Sequence, residues 1–130
     1  MIIEVTSGAL ATLHREAARA APEECCGLLL GSGARIETVD ATANVAADRR
    51  VRFEIDPLAL LAAHKAARNG GPQVLGYYHS HPKGHPVPSA TDCEHSTGDS
   101  RVWAIIADGE VAFWRDSANG FALLDFRVRD

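Results

Sequence analysis

The chain has 130 residues and a mass of 13.9 kDa, a length that suits one domain, residues 1–130, with its own hydrophobic core. Its hydrophobic fraction of 46% is ordinary for a globular protein, and its formal net charge of -4 gives no general attraction to nucleic acid. No apolar run approaches the roughly 20 residues of a membrane-spanning helix, and the first residues lack a signal-peptide pattern, so we expect a cytoplasmic protein without a membrane partner.

The first quarter of the chain alternates strand and helix signals. Residues 2–5 favour a short strand, and Ser7 is a candidate cap for an amphipathic helix that ends before Pro22. The apolar run over residues 25–31, CCGLLLG, has the length of a buried strand, and residues 35–43 alternate polar with apolar like a half-buried one. We therefore expect a strand, a helix and a pair of strands in this order.

A third member of that sheet is expected over residues 51–55, and the most clearly bounded helix follows it. Asp56 and Pro57 stand in the order of an N-cap and a first helical residue, and the Gly-Gly-Pro of residues 70–72 ends the helix.

The second half of the chain favours a strand over residues 74–79 and a short helix that begins at Ser89. Closing strands are expected over residues 102–107, 111–114 and 121–128. This mixture of strands and helices predicts the α/β class, with one mixed β-sheet flanked by helices.

The three cysteines, Cys25, Cys26 and Cys93, form an odd set without a C-x-x-C pair. Such a set fits neither a secreted disulfide framework nor a structural zinc knuckle. We expect the cysteines to be reduced and mostly buried.

A candidate metal site lies where the strand over residues 74–79 ends. His79 and His81 are two residues apart, so in a strand their side chains point to one face about 7 Å apart. Ser89 would start a helix whose first turn projects Asp92 back towards them. Two imidazoles and one carboxylate are typical of catalytic zinc, which keeps its fourth position for water.

Each of the two motifs also has an explanation that involves no metal. His-x-His alone occurs by chance, and Ser-x-x-Asp is the pattern of an ordinary helix capping box. The combination at one strand end favours the metal.

These motifs resemble those of the JAMM, or MPN-plus, zinc metalloproteases. The signature of that family is an early glutamate, then His-x-His-Pro, six residues and Ser-x-x-Asp, and residues 79–82 and 89–92 reproduce its second part without a gap. The resemblance implies the MPN/JAMM fold, a β-sheet with flanking helices related to the cytidine deaminase fold. It also implies zinc held by His79, His81 and Asp92.

Two adjacent residues, Glu23 and Glu24, are candidates for the glutamate of the signature. Family members often show glutamate, one residue and then Cys-Gly, which selects Glu24. Strand geometry supports a choice of one, because adjacent side chains face opposite ways. The resemblance implies that Glu24 is the general base and then the acid, and that Ser89 stabilises the oxyanion besides capping its helix.

Other candidate residues carry weaker signals. His85 lies in the crossing loop and is expected to be solvated. His95, three residues after Asp92, is a candidate hydrogen-bond partner for a metal ligand, or an alternative ligand. Trp103 and Trp114 lie on closing strands and are expected in the core.

We therefore expect a zinc-dependent metallopeptidase or isopeptidase that cleaves after the Gly-Gly end of a ubiquitin-like or sulfur-carrier protein. The segments that hold ubiquitin in larger relatives correspond here to the short residues 67–73 and 93–101, so a small carrier, its tail added as a strand at the sheet edge, is expected. A non-catalytic MPN scaffold is the alternative outside catalysis, although every expected residue is present. A deaminase would need His-x-Glu and Pro-Cys-x-x-Cys, which are absent, and a peptidase for cell-wall peptides stays open.

Overall fold

The computed structural model describes residues 2–130 and contains a mixed sheet with helices packed on it. The strands are β1 (Ile2–Val5), β2 (Cys26–Ser32), β3 (Arg35–Thr42), β4 (Gln73–Ser80), β5 (Val102–Ala107), β6 (Glu110–Ser117) and β7 (Gly120–Val128). The helices are α1 (Ser7–Ala20), α2 (Pro57–Arg68) and α3 (Ala90–His95). The expected α/β class with one mixed sheet is confirmed. Within residues 2–130, every helix is too short or too polar to cross a bilayer.

The sheet curls until its two ends meet, in the order β1-β3-β2-β4-β5-β6-β7. The barrel closes through parallel pairing of β1 with β7, in which Ile2 lies opposite Asp125 and Val5 opposite Val128. The sequence did not predict this closure, because the alternation of a strand shows which face is buried and not which strand lies beside it.

The hydrophobic core lies between α1 and the sheet. Ala9 and Leu13 are the buried residues of α1, and they join a cluster contributed by the strands. β5 is buried along its whole length, so its two faces are both covered. Its neighbour β4, which carries His79, pairs with it from Gly76 to Ser80.

Each helix begins after a residue whose side chain accepts a hydrogen bond from a backbone N–H of the first turn. Thr6 caps α1 by accepting from Ala9 at 3.1 Å, so the expectation that Ser7 is the cap is wrong by one residue. Both residues carry a hydroxyl, and the local sequence does not separate them. The cap at Asp56 is confirmed, since its carboxylate accepts the N–H of Leu58 at 3.0 Å.

The strand expected over residues 51–55 is wrong, because this segment forms only one isolated bridge, between Asn44 and Ile55. The side chain of Asn44 takes up the hydrogen bonds that a neighbouring strand would use. Its amide donates to the carbonyl of Arg52 at 3.1 Å, and its oxygen accepts the N–H of Glu54 at 3.1 Å. The residue between these two, Phe53, is therefore held from both sides.

Two glycines let the central strands approach closely. A Cβ at Gly76 would lie 1.7 Å from the carbonyl oxygen of Val102 on β5. A Cβ at Gly27 would lie 2.2 Å from the carbonyl oxygen of Asp40 and 2.4 Å from the ring of Tyr78. No side chain fits at either position, so glycine is required for β4 to take its place between β2 and β5.

Candidate metal centre

The two histidines lie at the end of β4 with their rings turned to the same side. His79 is the penultimate residue of the strand, and His81 follows it, with its N–H donated to the carbonyl of Ile106 at 2.9 Å. This bond extends the pairing with β5 beyond the end of β4. As a result, the Nε2 atoms of the two rings are 3.0 Å apart.

The carboxylate of Asp92 completes the group from the first turn of α3. Its Oδ2 lies 3.1 Å from Nε2 of His79 and 3.2 Å from Nε2 of His81. The same oxygen accepts the N–H of Ser89 at 2.9 Å, while the Ser89 hydroxyl accepts the N–H of Asp92 at 3.0 Å. The capping box is therefore formed together with the side-chain group, and the two interpretations of Ser-x-x-Asp do not exclude each other.

The two Nε2 atoms and Oδ2 of Asp92 form a triangle, and hydrogen bonds alone pair these three atoms poorly. If both rings donate to Asp92, their N–H groups face each other at 3.0 Å. If only one ring donates, the other turns a lone pair towards the carboxylate. A single cation among the three atoms is attracted to all of them, and the ligand atoms around tetrahedral zinc are about 3.3 Å apart. His79, His81 and Asp92 could therefore hold a metal ion.

The second nitrogen of each ring has different surroundings. Nδ1 of His81 lies 2.8 Å from the backbone oxygen of His85, so His85 enters the site through its main chain rather than its side chain. Trp114 donates its indole N–H to the carbonyl of Pro86, the residue after His85, at 3.0 Å, which is a second hydrogen bond to this loop. Nδ1 of His79 is buried and has no hydrogen-bond partner among residues 2–130.

Glu24 lies next to this group, just before the start of β2. Cys26 is opposite His79 in the antiparallel pairing, so continuing that register by two residues places Glu24 opposite His81. Only 7% of Glu24 is exposed. A carboxylate is thus buried at the side of the site.

Glu23 has the surroundings of a surface residue. Its carboxylate lies 3.2 Å from Nε of Arg49, and 43% of its side chain is exposed. Of the two adjacent glutamates, the structure thus buries Glu24 and leaves Glu23 at the surface.

Burial and charge set the protonation of these groups. Burial alone would raise the pKa of Asp92, but hydrogen bonds from His79 and His81 hold it well below its usual range. Burial lowers the pKa of His79, whereas bonds to Asp92 and to the His85 carbonyl overcome burial and raise the pKa of His81. Burial raises the pKa of Glu24 to about 7. The charge of His81 lowers this pKa, whereas the charge of Asp92 raises it further. A carboxyl group with this pKa can take up and release a proton near neutrality.

The hydroxyl of Ser89 is exposed and has a proton to donate. It accepts the N–H of Asp92, and among residues 2–130 it has no acceptor of its own. A hydroxyl in this state can donate to an oxygen of a bound molecule.

Aromatic side chains enclose the buried face of His79. The ring of Phe53 stacks on it with centroids 4.2 Å apart, and Trp103 meets it edge-on at 5.7 Å. Trp103 is buried, as expected for a core residue. Phe53 is a contact that the sequence analysis missed: the alternation V-x-F-x-I marks it as facing inwards but does not show what it touches.

An apolar cavity of about 430 Å³ adjoins these rings. Phe53, Tyr77 and Trp103 line it, together with Arg52 and His95. His95 is exposed and lies outside the group of metal-ligating side chains described for residues 2–130.

The chain is similar to known proteins over most of its length. Residues 6–117 match the family described as prokaryotic homologs of the JAB domain. The chain is 42% identical over 110 residues to a desampylase of Haloferax volcanii, which covers 82% of this chain and 79% of the relative. It is 36% identical over 124 residues to a Thermus thermophilus protein named a probable TtuB-protein conjugate cleaving protease, with 95% of this chain and 83% of the relative covered.

The fold is also similar to that of a solved structure. The crystal structure of a JAB1/MPN domain protein from Archaeoglobus fulgidus matches with a TM-score of 0.64 at 19% identity. The match covers 97% of this chain and 98% of that one. The fold is thus that of a JAB1/MPN domain.

Proposed function

Because this chain belongs to the family of prokaryotic homologs of the JAB domain, we propose that it is a zinc-dependent isopeptidase that hydrolyses the amide bond after the Gly-Gly end of a ubiquitin-like or sulfur-carrier protein. The observation that carries the proposal is the convergence of His79, His81 and Asp92 within 3.2 Å, beside the buried Glu24. The family resemblance drawn from the sequence motifs is confirmed by the match over residues 6–117.

The relatives support hydrolysis of protein conjugates. One is a desampylase, and the other is named for cleaving TtuB-protein conjugates. Each shares at least 36% of its aligned residues with this chain over more than four-fifths of the chain's length. We therefore assign the same class of bond to this chain and treat the identity of its carrier protein as part of the proposal.

Three side chains would hold the zinc, and their chemistry suits it. Two neutral imidazoles and an ionised carboxylate are a usual ligand set for catalytic zinc. The lowered pKa values of His79 and Asp92 favour those forms, whereas His81, whose pKa is raised, would give up its proton on binding the metal. Zinc held there supplies a Lewis acid that lowers the pKa of water and polarises a carbonyl.

Glu24 would transfer the proton, and Ser89 would stabilise the developing negative charge. Glu24, opposite His81, would take the proton from the attacking water and later return it to the leaving amine. Ser89 would donate its unused hydroxyl proton to the oxygen of the carbonyl under attack. Its bond from the Asp92 N–H fixes the hydroxyl oxygen beside the ligand group without using up the proton.

The surface around the site favours a small carrier. The segments over residues 67–73 and 93–101 contain the end of α2, the start of β4, the end of α3 and the loop that follows it, and we propose that both are too short to dock a large partner. The expectation that the tail adds a strand at a sheet edge stays part of the proposal: β1 closes the barrel on β7, but its pairing with β3 covers only Arg35 and Ile36 of that strand.

A cleavage assay tests the proposal. The purified protein, loaded with zinc, is offered a carrier protein extended after Gly-Gly by a short peptide or a single amino acid, alongside ubiquitin dimers and a cell-wall peptide. Mass spectrometry should show loss of the extension, with the Glu24→Gln variant as the control that remains inactive. Splitting of the dimers without action on the extended carrier would reject the substrate class, and cleavage of the cell-wall peptide alone would support that alternative.

A further inference from the structure

The two histidine ligands are held in different ways. A neutral imidazole that binds a metal through Nε2 carries its proton on Nδ1, and a hydrogen bond from this N–H normally fixes the plane of the ring. His81 has such a partner, the carbonyl of His85 at 2.8 Å. His79 has none among residues 2–130, although its Nδ1 is buried. Another contact must therefore fix the His79 ring.

The only rings that meet His79 from outside its own ligand group are those of Phe53 and Trp103, within the described residues. Phe53 is nearly parallel to the imidazole, at an angle of 16° and a centroid distance of 4.2 Å. Trp103 stands at 88° to the imidazole and 5.7 Å from it. Phe53 and Trp103 also touch each other, edge to face, at 5.9 Å. Turning the imidazole about its bond to Cβ would drive it into one of these rings.

Phe53 is itself held by a specific contact. Asn44 bonds the backbone of Arg52 and of Glu54, the residues on either side of Phe53. The amide of Asn44 also donates to the carbonyl of Glu24 at 3.0 Å, which ties this segment to the start of β2. The segment that carries Phe53 is thus linked through Asn44 to Glu24, which lies beside the site.

We propose that Phe53 is a positioning residue for the metal: its ring sets the plane of His79 in place of the missing hydrogen bond, so that Nε2 faces His81 and Asp92. This inference rests on the proposed zinc site. Phe53 itself neither binds the metal nor transfers a proton. Its effect should appear in the affinity for zinc before any substrate is added.

The first test measures the zinc affinity of metal-free protein by competition with a chelator. Phe53→Leu keeps an apolar side chain but removes the flat face, and we expect zinc to bind about tenfold more weakly. Phe53→Tyr keeps the flat face of the ring, so its affinity for zinc should stay well above that of Phe53→Leu. Phe121→Leu is the matched control, because Phe121 packs on Trp103 at 4.9 Å and forms no ring contact with His79.

The second test observes the ring directly. In metal-free protein, the carbon-bound ring protons of His79 lie over the face of Phe53 and should show an upfield ring-current shift in the NMR spectrum. Phe53→Leu should reduce this shift to what Trp103 causes, and Phe121→Leu should keep it. Thermal unfolding of the metal-free variants checks that each is folded, and Phe53→Met replaces Phe53→Leu if the latter does not fold.

The outcomes separate this inference from the proposed function. Unchanged zinc affinity in Phe53→Leu, or an equal loss in Phe121→Leu, would overturn the role of Phe53 and leave the zinc site in place. A wild-type protein that binds no zinc would overturn both. Weak binding in Phe53→Leu with recovery in Phe53→Tyr supports the inference.

Discussion

Oδ2 of Asp92 lies 2.9 Å from the backbone nitrogen of Ser89, and this is the same oxygen that faces both histidines. The bond holds the carboxylate at the start of α3. A side chain fixed in this way would lose little freedom on binding a cation, so the group that could hold a metal ion is already arranged. The helix start and the candidate metal centre therefore share one atom.

We predict that the purified protein binds about one zinc ion per chain through this group. The double variant His79→Ala and His81→Ala should lose the metal, because it removes two of the three ligands. Elemental analysis of folded protein measures the result, and His95→Ala, outside the group, should retain the metal. Unchanged zinc content in the double variant would show that the assignment is wrong.

A second prediction separates the base from the ligands. Glu24→Gln should keep both zinc and fold while losing most hydrolysis, because an amide replaces the buried carboxylate without removing a ligand. Loss of a positioned base typically costs about 10²–10⁴-fold in rate. Glu23→Gln is the neighbouring control, since Glu23 pairs with Arg49 at the surface. If the Glu23 variant were the inactive one, the side chains before β2 would face the other way.

A third prediction concerns pH in the metal-free protein. The pKa of Glu24 is about 7 in the fold against an ordinary 4.5, so the folded state binds more protons between these values. The contribution of Glu24 to the free energy of unfolding should fall as pH rises from 4.5 through 7, because stability falls wherever the folded state holds the extra proton. The lowered pKa of His79 acts in the opposite direction, so the effect of Glu24 is obtained from the difference between wild type and a variant without this carboxyl. The loss is at most about 3 kcal/mol, given 1.36 kcal/mol for each pKa unit.

Urea unfolding across this pH range measures the effect, with Glu24→Gln as the comparison. The variant has no carboxyl at this position, so its stability relative to wild type should increase as pH rises and level off above 7. A constant difference from acid to neutral pH would contradict the prediction.

A fourth prediction concerns the thiols. Cys25 and Cys26 are 4% and 1% exposed, and burial raises the pKa of Cys25 to about 11, whereas Cys93 is exposed. Because the thiolate is the reactive form, an alkylating reagent should add once to folded protein, at Cys93, and three times after unfolding. Mass spectrometry counts the adducts, and folded Cys93→Ser should remain unlabelled. Rapid labelling of Cys25 or Cys26 would show that the start of β2 opens.

A fifth prediction tests the close approach of β4 and β5. Gly76→Ala places a Cβ against the carbonyl of Val102 and should cost about 3 kcal/mol of stability, at the upper end of ordinary overpacking. Gly8→Ala is the matched control, because nothing lies within 4 Å of its Cβ and alanine favours helix. Urea unfolding should show a change of less than about 1 kcal/mol there. Equal stability of the two variants would contradict this account of the strand spacing.

Elements with strong local signals were predicted well from the sequence. β5 was expected over residues 102–107 and is found at Val102–Ala107, and the Asp-Pro start and Gly-Gly-Pro end bounded α2. The strand expected over residues 51–55 was wrong because its apolar alternation is real but the side chain of Asn44 satisfies its backbone. Barrel closure depends on contacts between distant strands and has no local signal. The relation to the cytidine deaminase fold stays a prediction.

The site was predictable to the extent that it depends on periodicity and motif. The i, i+2 spacing of His79 and His81 and the helix start before Asp92 placed three side chains near one another. The catalytic roles of Glu24 and Ser89 stay predictions. The His85 carbonyl had no signal, because every residue carries such an oxygen, and the stacking of Phe53 depends on how a loop folds over β4.

The pairing of β1 with β7 also sets an order of events during synthesis. β1 lies opposite residues 125–128, so this partner does not exist until nearly all of the chain described here has been translated. Until then β1 has only its two residue pairs with β3. Pairings between such distant segments form slowly because the loop-closure entropy comes first. The nascent chain therefore carries an open strand edge that can pair with another chain until the barrel closes.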